Sequence, residues 1–269
     1  MAPLEALLFD LDGTLIDSMP LHHESWRLWH AQQRLPFDEA GFFAATAGRT
    51  NAEILADLFP QRSEAERGQM AEAKESLYRE LAATRLTLVA GALELLAAAA
   101  ARGLACAICT AAPTGNIRVA FERFGLGDLV QTVTSPADRV HGGAPDAHLR
   151  GKPHPDIFLE AARRLAVDPA RCLVFEDAPL GVEAARRAGM RALALTTTLP
   201  ATAFAACSNL VGVAADLRSF DLDTLVDRWP GPGPGPGPGP GHGHDHGFGP
   251  DLTPHDTARE RSCAKAPLP

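Results

Sequence analysis

Short apolar runs recur along the chain, and each has about the length of a buried β-strand. They are LEALLF (4–9), LACAIC (104–109), LVQTVT (129–134), CLVF (172–175), RALAL (191–195) and NLVGV (209–213). Segments of helical length and composition lie between them, at residues 91–102, 114–124, 155–166 and 181–188. Because strands that alternate with helices form parallel sheets covered on both faces, the pattern predicts an α/β fold.

Two stretches depart from this alternation. Residues 19–85 contain helix-like pieces and no β-rich run, which predicts a helical insertion after the first strand. We therefore expect a core made of residues 1–17 and 88–228 and a small helical cap of residues 18–87. The last stretch, residues 229–269, alternates Gly and Pro, contains several His residues and offers little to bury, so it is predicted to be disordered.

The composition and charge of the chain indicate which kind of ligand it binds. The chain has 269 residues, 46% of them hydrophobic and 22% charged, which is typical of a globular protein. A net charge of −8 without any Lys/Arg-rich run argues against nucleic acids and anionic membranes, and favours a small ligand. The first residues carry no basic, signal-like segment, so we expect a cytoplasmic protein. We also expect a monomer or at most a weak dimer.

The five cysteines are scattered and odd in number, and Cys106, Cys109 and Cys172 lie inside apolar runs. This pattern is typical of reduced core thiols. Cys106 and Cys109 have CxxC spacing, but no second pair completes a zinc site.

The segment FDLDGT ends the first predicted strand and carries two carboxylates. Residues two apart in an extended chain point the same way, so Asp10 and Asp12 are expected to face one pocket. Two close carboxylates need a cation or a shared proton, which suits Asp10 as a nucleophile and Asp12 as a proton carrier. Gly13 permits a sharp turn beside them. A structural or simple metal-binding loop is the alternative for this segment alone.

Three other strand or loop ends carry polar groups. Thr110 follows the second apolar run, where its hydroxyl could hold a phosphate or merely cap a helix. Lys152 lies in the stiffened loop GKPHP and could offset the charge of a phosphoryl group. Glu176 and Asp177 follow a buried strand and offer the hard oxygen ligands that suit Mg²⁺. Together these residues predict metal-centred phosphoryl transfer.

In their order along the chain, these four motifs resemble those of the haloacid dehalogenase-like hydrolase superfamily. The resemblance implies a Rossmann-like core in which Asp10 is nucleophile and metal ligand. Asp12 would be the general acid and base, with its backbone carbonyl on the metal. Thr110 and Lys152 would hold phosphate, and Glu176 and Asp177 would complete the Mg²⁺ site. The implied substrate-binding residues of the core are Gly13, Thr14 and Ala111.

The helical insertion is similar to the cap of the β-phosphoglucomutase-like branch, which closes over its substrate. That similarity implies substrate contacts by His22 and Lys74. Asn51 stands where the mutase has a phosphate-binding Arg. Either Arg49, two residues earlier, substitutes for that Arg, or the distal phosphate site is missing. Asn51 and Arg49 are both expected to face the substrate.

Several functions remain open from the sequence. The first is a Mg²⁺-dependent phosphatase of small phosphorylated metabolites, sugar phosphates above all. A β-phosphoglucomutase-like mutase and a pyrophosphatase share its core residues. A further reading is a divalent-metal binding tail that uses His242, His244, Asp245 and His246.

Overall fold

The computed structural model describes residues 3–46, 50–144 and 146–234. Its strands are β1 (Ala6–Phe9), β2 (Ile16–Asp17), β3 (Thr87–Leu88), β4 (Ala105–Cys109), β5 (Thr132–Thr134), β6 (Cys172–Glu176), β7 (Arg191–Leu195) and β8 (Leu210–Ala214). Six of them form one parallel sheet in the order β5-β4-β1-β6-β7-β8. These six are the strands that the apolar runs predict, which confirms the α/β fold class.

The helices of the described residues are α1 (Met19–Gln32), α2 (Glu39–Thr46), α3 (Asn51–Leu58), α4 (Glu64–Arg85), α5 (Ala92–Ala101), α6 (Thr114–Phe124), α7 (Asp156–Leu165), α8 (Pro179–Arg187) and α9 (Leu222–Asp227). Helices α5 to α8 each lie between two strands of the parallel sheet and form the crossover connections that parallel strands need. Among the helices of these residues, none combines the length and the apolar character needed to cross a bilayer.

Strand β1 shows how the sheet forms two cores. Leu7 and Phe9 belong to the apolar cluster on one face, and Ala6 and Leu8 belong to the cluster on the other. Successive side chains of a strand point to opposite faces, so a continuous apolar run is what a strand covered on both sides needs. Phe9 also stacks on Phe175 of the neighbouring strand β6, with 4.6 Å between ring centroids.

Helices α1 to α4 occupy the interval that the sequence predicts to be helical. Strands β2 and β3 pair antiparallel at its two ends, so the chain leaves and re-enters the core side by side. The helices enclose an apolar cluster of their own around Trp26 and Trp29. Capping boxes start α3 and α4, where Thr50 and Ser63 each exchange hydrogen bonds with a Glu three residues later.

The packed chain continues beyond the predicted start of the disordered tail. Trp229 is only 5% exposed and belongs to one of the two sheet-covering clusters. Arg191 Nε donates a hydrogen bond to the carbonyl of Gly231 at 3.0 Å. A buried Trp therefore anchors the chain at the position where the disordered tail is predicted to start. The rest of the predicted tail, with His242, His244, Asp245 and His246, lies outside the described residues.

Candidate active site

The polar residues predicted from the sequence meet at the carboxyl edge of the parallel sheet. Asp10 directly follows β1, Thr110 follows β4, and Glu176 ends β6 with Asp177 after it. Since β1 lies between β4 and β6, these side chains are neighbours although they are far apart in the sequence. All four are at most 6% exposed. This edge is where ligands of parallel α/β sheets bind.

Three carboxylates and one ammonium form the centre of the site. One oxygen from each of Asp10, Glu176 and Asp177 lies within 4.8 Å of the others. Lys152 Nζ contacts Asp10 Oδ1 and lies 2.5 Å from Glu176 Oε1. The peptide bond between Lys152 and Pro153 is cis. One lysine thus faces three acids in a buried space.

The pKa values reflect this crowding. Burial raises the pKa of Asp10 well above its usual range; Lys152 opposes the rise and the neighbouring carboxylates add to it. Burial and the charge of Glu176 raise the pKa of Asp177 to about 7. Although burial by itself would lower the pKa of Lys152, Asp10 and Glu176 raise it, so Lys152 stays charged. The excess of buried carboxylate oxygens, which are hard ligands, fits a divalent cation.

Two glycines allow the carboxylates to come this close. Gly13 has φ +74°, and a Cβ on it would lie 2.6 Å from Thr198 Oγ1 and 2.8 Å from Asp177 Cγ. A Cβ on Gly181, in the first turns of α8, would overlap the carboxylate of Glu176. Asp177 and Glu176 therefore pack directly against backbone, which limits how far these carboxylates can move.

Asp12 faces the helices that follow β2 and is partly exposed. His22 Nε2 lies 3.5 Å from Asp12 Oδ1, and His22 Nδ1 lies 2.7 Å from Lys74 Nζ. Because an ammonium can only donate, the proton of a neutral His22 is on Nε2, toward Asp12. Burial tends to raise the pKa of Asp12, but His22, Ser18 and Lys74 more than offset it and lower that pKa.

Lys74 is 1% exposed and is held by the adjacent Glu75, whose Oε1 lies 3.0 Å from Lys74 Nζ. The same carboxylate accepts hydrogen bonds from Asn51 Nδ2 at 2.5 Å and from Asn116 Nδ2 at 2.6 Å. Glu75 is thus a junction between α3, α4 and the core helix α6. Burial would raise the pKa of Glu75, but Lys74 and the other partners lower it, which keeps the carboxylate ionised.

The structure brings Asp10, Lys152, Glu176 and Asp177 together, and it links Asp12 to His22 and Lys74. Thr110 Oγ1 accepts a hydrogen bond from the backbone N–H of Ala112 at 3.0 Å, which is a local turn contact. The side-chain amide of Asn51 donates a hydrogen bond to the carboxylate of Glu75. Thr14 is fully buried, Ala111 is exposed, and Arg49 lies outside the described residues.

Four residues at or near the site were not identified from the sequence: Glu75, Asn116, Thr197 and Thr198. Thr197 Oγ1 donates to the carbonyl of Gly13 at 2.5 Å, and Thr198 Oγ1 donates to Asp177 Oδ2. The rule that found the other motifs, polar residues directly after a buried strand, also applies to the threonines that follow β7. Glu75 and Asn116 sit within helices and give no comparable local signal.

Comparison with known proteins identifies the family. The model of the haloacid dehalogenase-like hydrolase family matches residues 4–189. A validoxylamine A 7′-phosphate phosphatase of Streptomyces hygroscopicus subsp. limoneus is 34% identical over 218 residues, 78% of this chain and 94% of that protein. Hexitol phosphatase A of Escherichia coli is 33% identical over 193 residues, 71% and 82% of the two chains. A β-phosphoglucomutase of Bacillus subtilis is 28% identical over 198 residues, 71% and 82%.

Among solved structures, a family IA, variant 3 hydrolase of Entamoeba histolytica superposes with a TM-score of 0.72 at 26% identity. The match covers 83% of this chain and 98% of that one. The chain belongs to the haloacid dehalogenase-like hydrolase family. The enzyme class predicted from the sequence, a phosphatase of this family, is confirmed.

Proposed function

We propose that this enzyme is a Mg²⁺-dependent phosphatase of small phosphorylated metabolites, sugar phosphates among them, and that it works through an aspartyl-phosphate on Asp10. The observation that carries the proposal is the position of Asp10, buried at a strand end between Lys152 and two further carboxylates. Relatives that are named hexitol phosphatase A and validoxylamine A 7′-phosphate phosphatase support the substrate class.

Asp10, Glu176 and Asp177 would hold the metal, together with the backbone of Asp12 that the family resemblance implies. When bound, a divalent cation offsets the carboxylate charge and polarises a phosphoryl oxygen. Lys152 supplies a second positive charge beside Asp10, where the charge of the transferring group develops. Charge pairing by Lys152 opposes the effect of burial on the pKa of Asp10, and a bound cation would favour further the anionic form that a nucleophile needs.

In the first step, a carboxylate oxygen of Asp10 attacks phosphorus and the ester P–O bond breaks. Asp12 gives a proton to the leaving oxygen. Its pKa in the free enzyme is lowered, and the negative charge of a bound phosphate raises it again by repulsion. In the second step, Asp12 takes a proton from water, the water oxygen attacks phosphorus, and the bond to Asp10 breaks to release inorganic phosphate.

We propose that helices α1 to α4 act as the cap over this site. His22 from α1 reaches Asp12, Lys74 from α4 contacts His22, and Glu75 of α4 bonds to Asn116 of the core helix α6. These contacts bring the polar residues of the cap onto the acid and base of the core. Such a closed arrangement excludes bulk water from the phosphorylated intermediate and orients Asp12 toward the leaving oxygen.

A mutase is the second candidate, because the B. subtilis β-phosphoglucomutase shares the family. It would return the phosphoryl group to a sugar hydroxyl through a bisphosphate. In this chain Asn51 is bonded to the Glu75 carboxylate, and Lys74 is paired with the same group. A carboxylate at this position disfavours a second phosphate, which leads us to prefer water as the acceptor.

The test is a screen of sugar phosphates, other phosphate monoesters and pyrophosphate for release of inorganic phosphate, with Mg²⁺ and after chelation. Asp10→Asn should lower turnover about a thousandfold or more. Asp17→Asn, at a nearby exposed carboxylate, is the matched control and should keep wild-type activity. Acid-quenched wild-type enzyme should carry one phosphoryl group by mass, and Asp10→Asn none. Wild-type turnover by Asp10→Asn would refute the covalent mechanism.

The same preparation distinguishes the two candidates. β-Glucose 1-phosphate is supplied with a bisphosphate activator, and both glucose 6-phosphate and inorganic phosphate are measured. Release of phosphate without glucose 6-phosphate supports the phosphatase. Accumulation of glucose 6-phosphate would establish the mutase. Release of phosphate from pyrophosphate and from none of the phosphate monoesters would indicate a pyrophosphatase.

A further inference from the structure

The segment after β7 contacts two separate parts of the site. Strand β7 pairs with β6, and Glu176 lies opposite Ala194 in that pairing. The chain therefore emerges beside the acidic cluster with Thr196, Thr197 and Thr198. Thr197 Oγ1 donates to the carbonyl of Gly13, in the turn that carries Asp12. Thr198 Oγ1 donates to Asp177 Oδ2.

The side chain of Thr198 has little freedom. Its hydroxyl lies so close to Gly13 that a Cβ on that glycine would be 2.6 Å from Thr198 Oγ1. The carboxylate of Asp177 borders the same glycine, at 2.8 Å from that Cβ to Asp177 Cγ. Gly13, Asp177 and Thr198 thus form one close-packed junction. A hydroxyl that is fixed in this way can hold a carboxylate in one rotational state.

We propose that Thr198 is a positioning residue for a metal ion bound by Asp10, Glu176 and Asp177. Its hydroxyl engages one oxygen of Asp177 and leaves the other without that bond, so that the carboxylate keeps a single orientation toward its two acidic neighbours. The inference rests on the proposed Mg²⁺ site. Thr197 supports it because the hydrogen bond to Gly13 ties the same segment to the turn after β1.

The experiment measures binding of Mg²⁺ alone to the full-length protein by isothermal titration calorimetry, without substrate. Thr198→Val removes the hydroxyl and keeps the shape of the side chain. Removal of such a partner of a metal ligand is expected to weaken Mg²⁺ binding by about 10- to 100-fold. Thr198→Ser keeps the hydroxyl and is expected to bind within about threefold of wild type. Thr202→Val, at an exposed threonine nearby, is the control and should match wild type.

Thermal unfolding of each variant in EDTA reports folding independently of the metal. If Thr198→Val does not fold, Thr198→Ala makes the same test with less bulk. Wild-type Mg²⁺ affinity in the folded valine or alanine variant would overturn the proposal. Equal weakening in the serine and valine variants would overturn it as well, because the serine variant keeps the hydroxyl and loss of the hydrogen bond could then not be the cause. If wild-type protein itself binds no Mg²⁺, the proposed function fails, which is a distinct result.

Discussion

Lys152 is the one cation that contacts the cluster of Asp10, Glu176 and Asp177 within the described part of the chain. Its removal therefore tests how much the stability of the protein depends on a positive charge beside these buried carboxylates. Lys152→Met keeps the length of the side chain and leaves Asp10 and Glu176 without their ammonium partner. Breaking one side of a buried ion pair costs about 3–5 kcal/mol. Proton uptake by the carboxylates relieves part of that cost, so we expect about 3 kcal/mol. For a folded region of this size, that loss lowers the melting temperature by about 6–12 °C.

The assay is thermal unfolding followed by circular dichroism at neutral pH in EDTA. Arg150→Met is the control, because Arg150 lies in the same loop but forms an exposed pair with Asp156, worth at most about 1 kcal/mol. Added Mg²⁺ should restore part of the loss in Lys152→Met, since a cation that binds only the folded state stabilises it. A melting temperature that Lys152→Met shares with wild type in EDTA would refute the reasoning.

The loss of stability caused by Lys152→Met should depend on pH, and the pKa of Asp177 gives the direction. The pKa of Asp177 in the folded protein is raised to about 7, above the value of about 3.9 in the unfolded chain. Below about pH 7 the folded protein therefore binds a proton that the unfolded chain does not, and the repulsion within the cluster falls. The difference between Lys152→Met and wild type should shrink between about pH 8 and about pH 5.

Three further predictions concern single groups around the site and in the core. Gly181→Ala should displace the Glu176 carboxylate and weaken Mg²⁺ binding in calorimetry at least tenfold. Gly68→Ala, where a Cβ meets open space, should instead raise the free energy of unfolding by about 0.5–1 kcal/mol. Glu75→Gln should lower the free energy of unfolding by about 3 kcal/mol and lower kcat, because it leaves buried Lys74 without its carboxylate. Glu72→Gln, at an exposed carboxylate on the same helix, is the control and should lower it by less than about 1 kcal/mol in urea unfolding. Equal losses in the two variants would contradict the role of Glu75 as a junction. Glu160 pairs with two arginines that hold its pKa at about 2, so the pairs stabilise the folded state fully above the unfolded pKa of about 4.3, and this stabilisation is lost as pH falls toward 2. Glu160→Gln should therefore have a lower free energy of unfolding than wild type at neutral pH and match it near pH 2. A difference that stays constant with pH would contradict this.

Much of the fold could be predicted from local patterns. A strand covered on both faces needs a continuous apolar run, and each of the six runs became a strand of the sheet. The predicted helix at residues 114–124 coincides with α6. The site followed from the same patterns, because polar residues placed directly after strands of a parallel sheet must meet at one edge. For this reason Asp10, Glu176 and Asp177 could be grouped before their distances were known.

Local patterns are thus enough to predict the strands, the helical interval and the residues at the strand ends, since each depends on a few neighbouring positions. Which side chains hold those residues in place depends on tertiary packing. Asn116 meets Glu75 from 41 positions away, and Thr198 meets Asp177 from 21 positions away. A polar residue within a helix or a loop has the same local pattern whether it faces water or a buried partner. Its partner is selected by the packing of elements that are distant along the chain, and that packing also buried Trp229 at the edge of a segment whose composition predicts disorder.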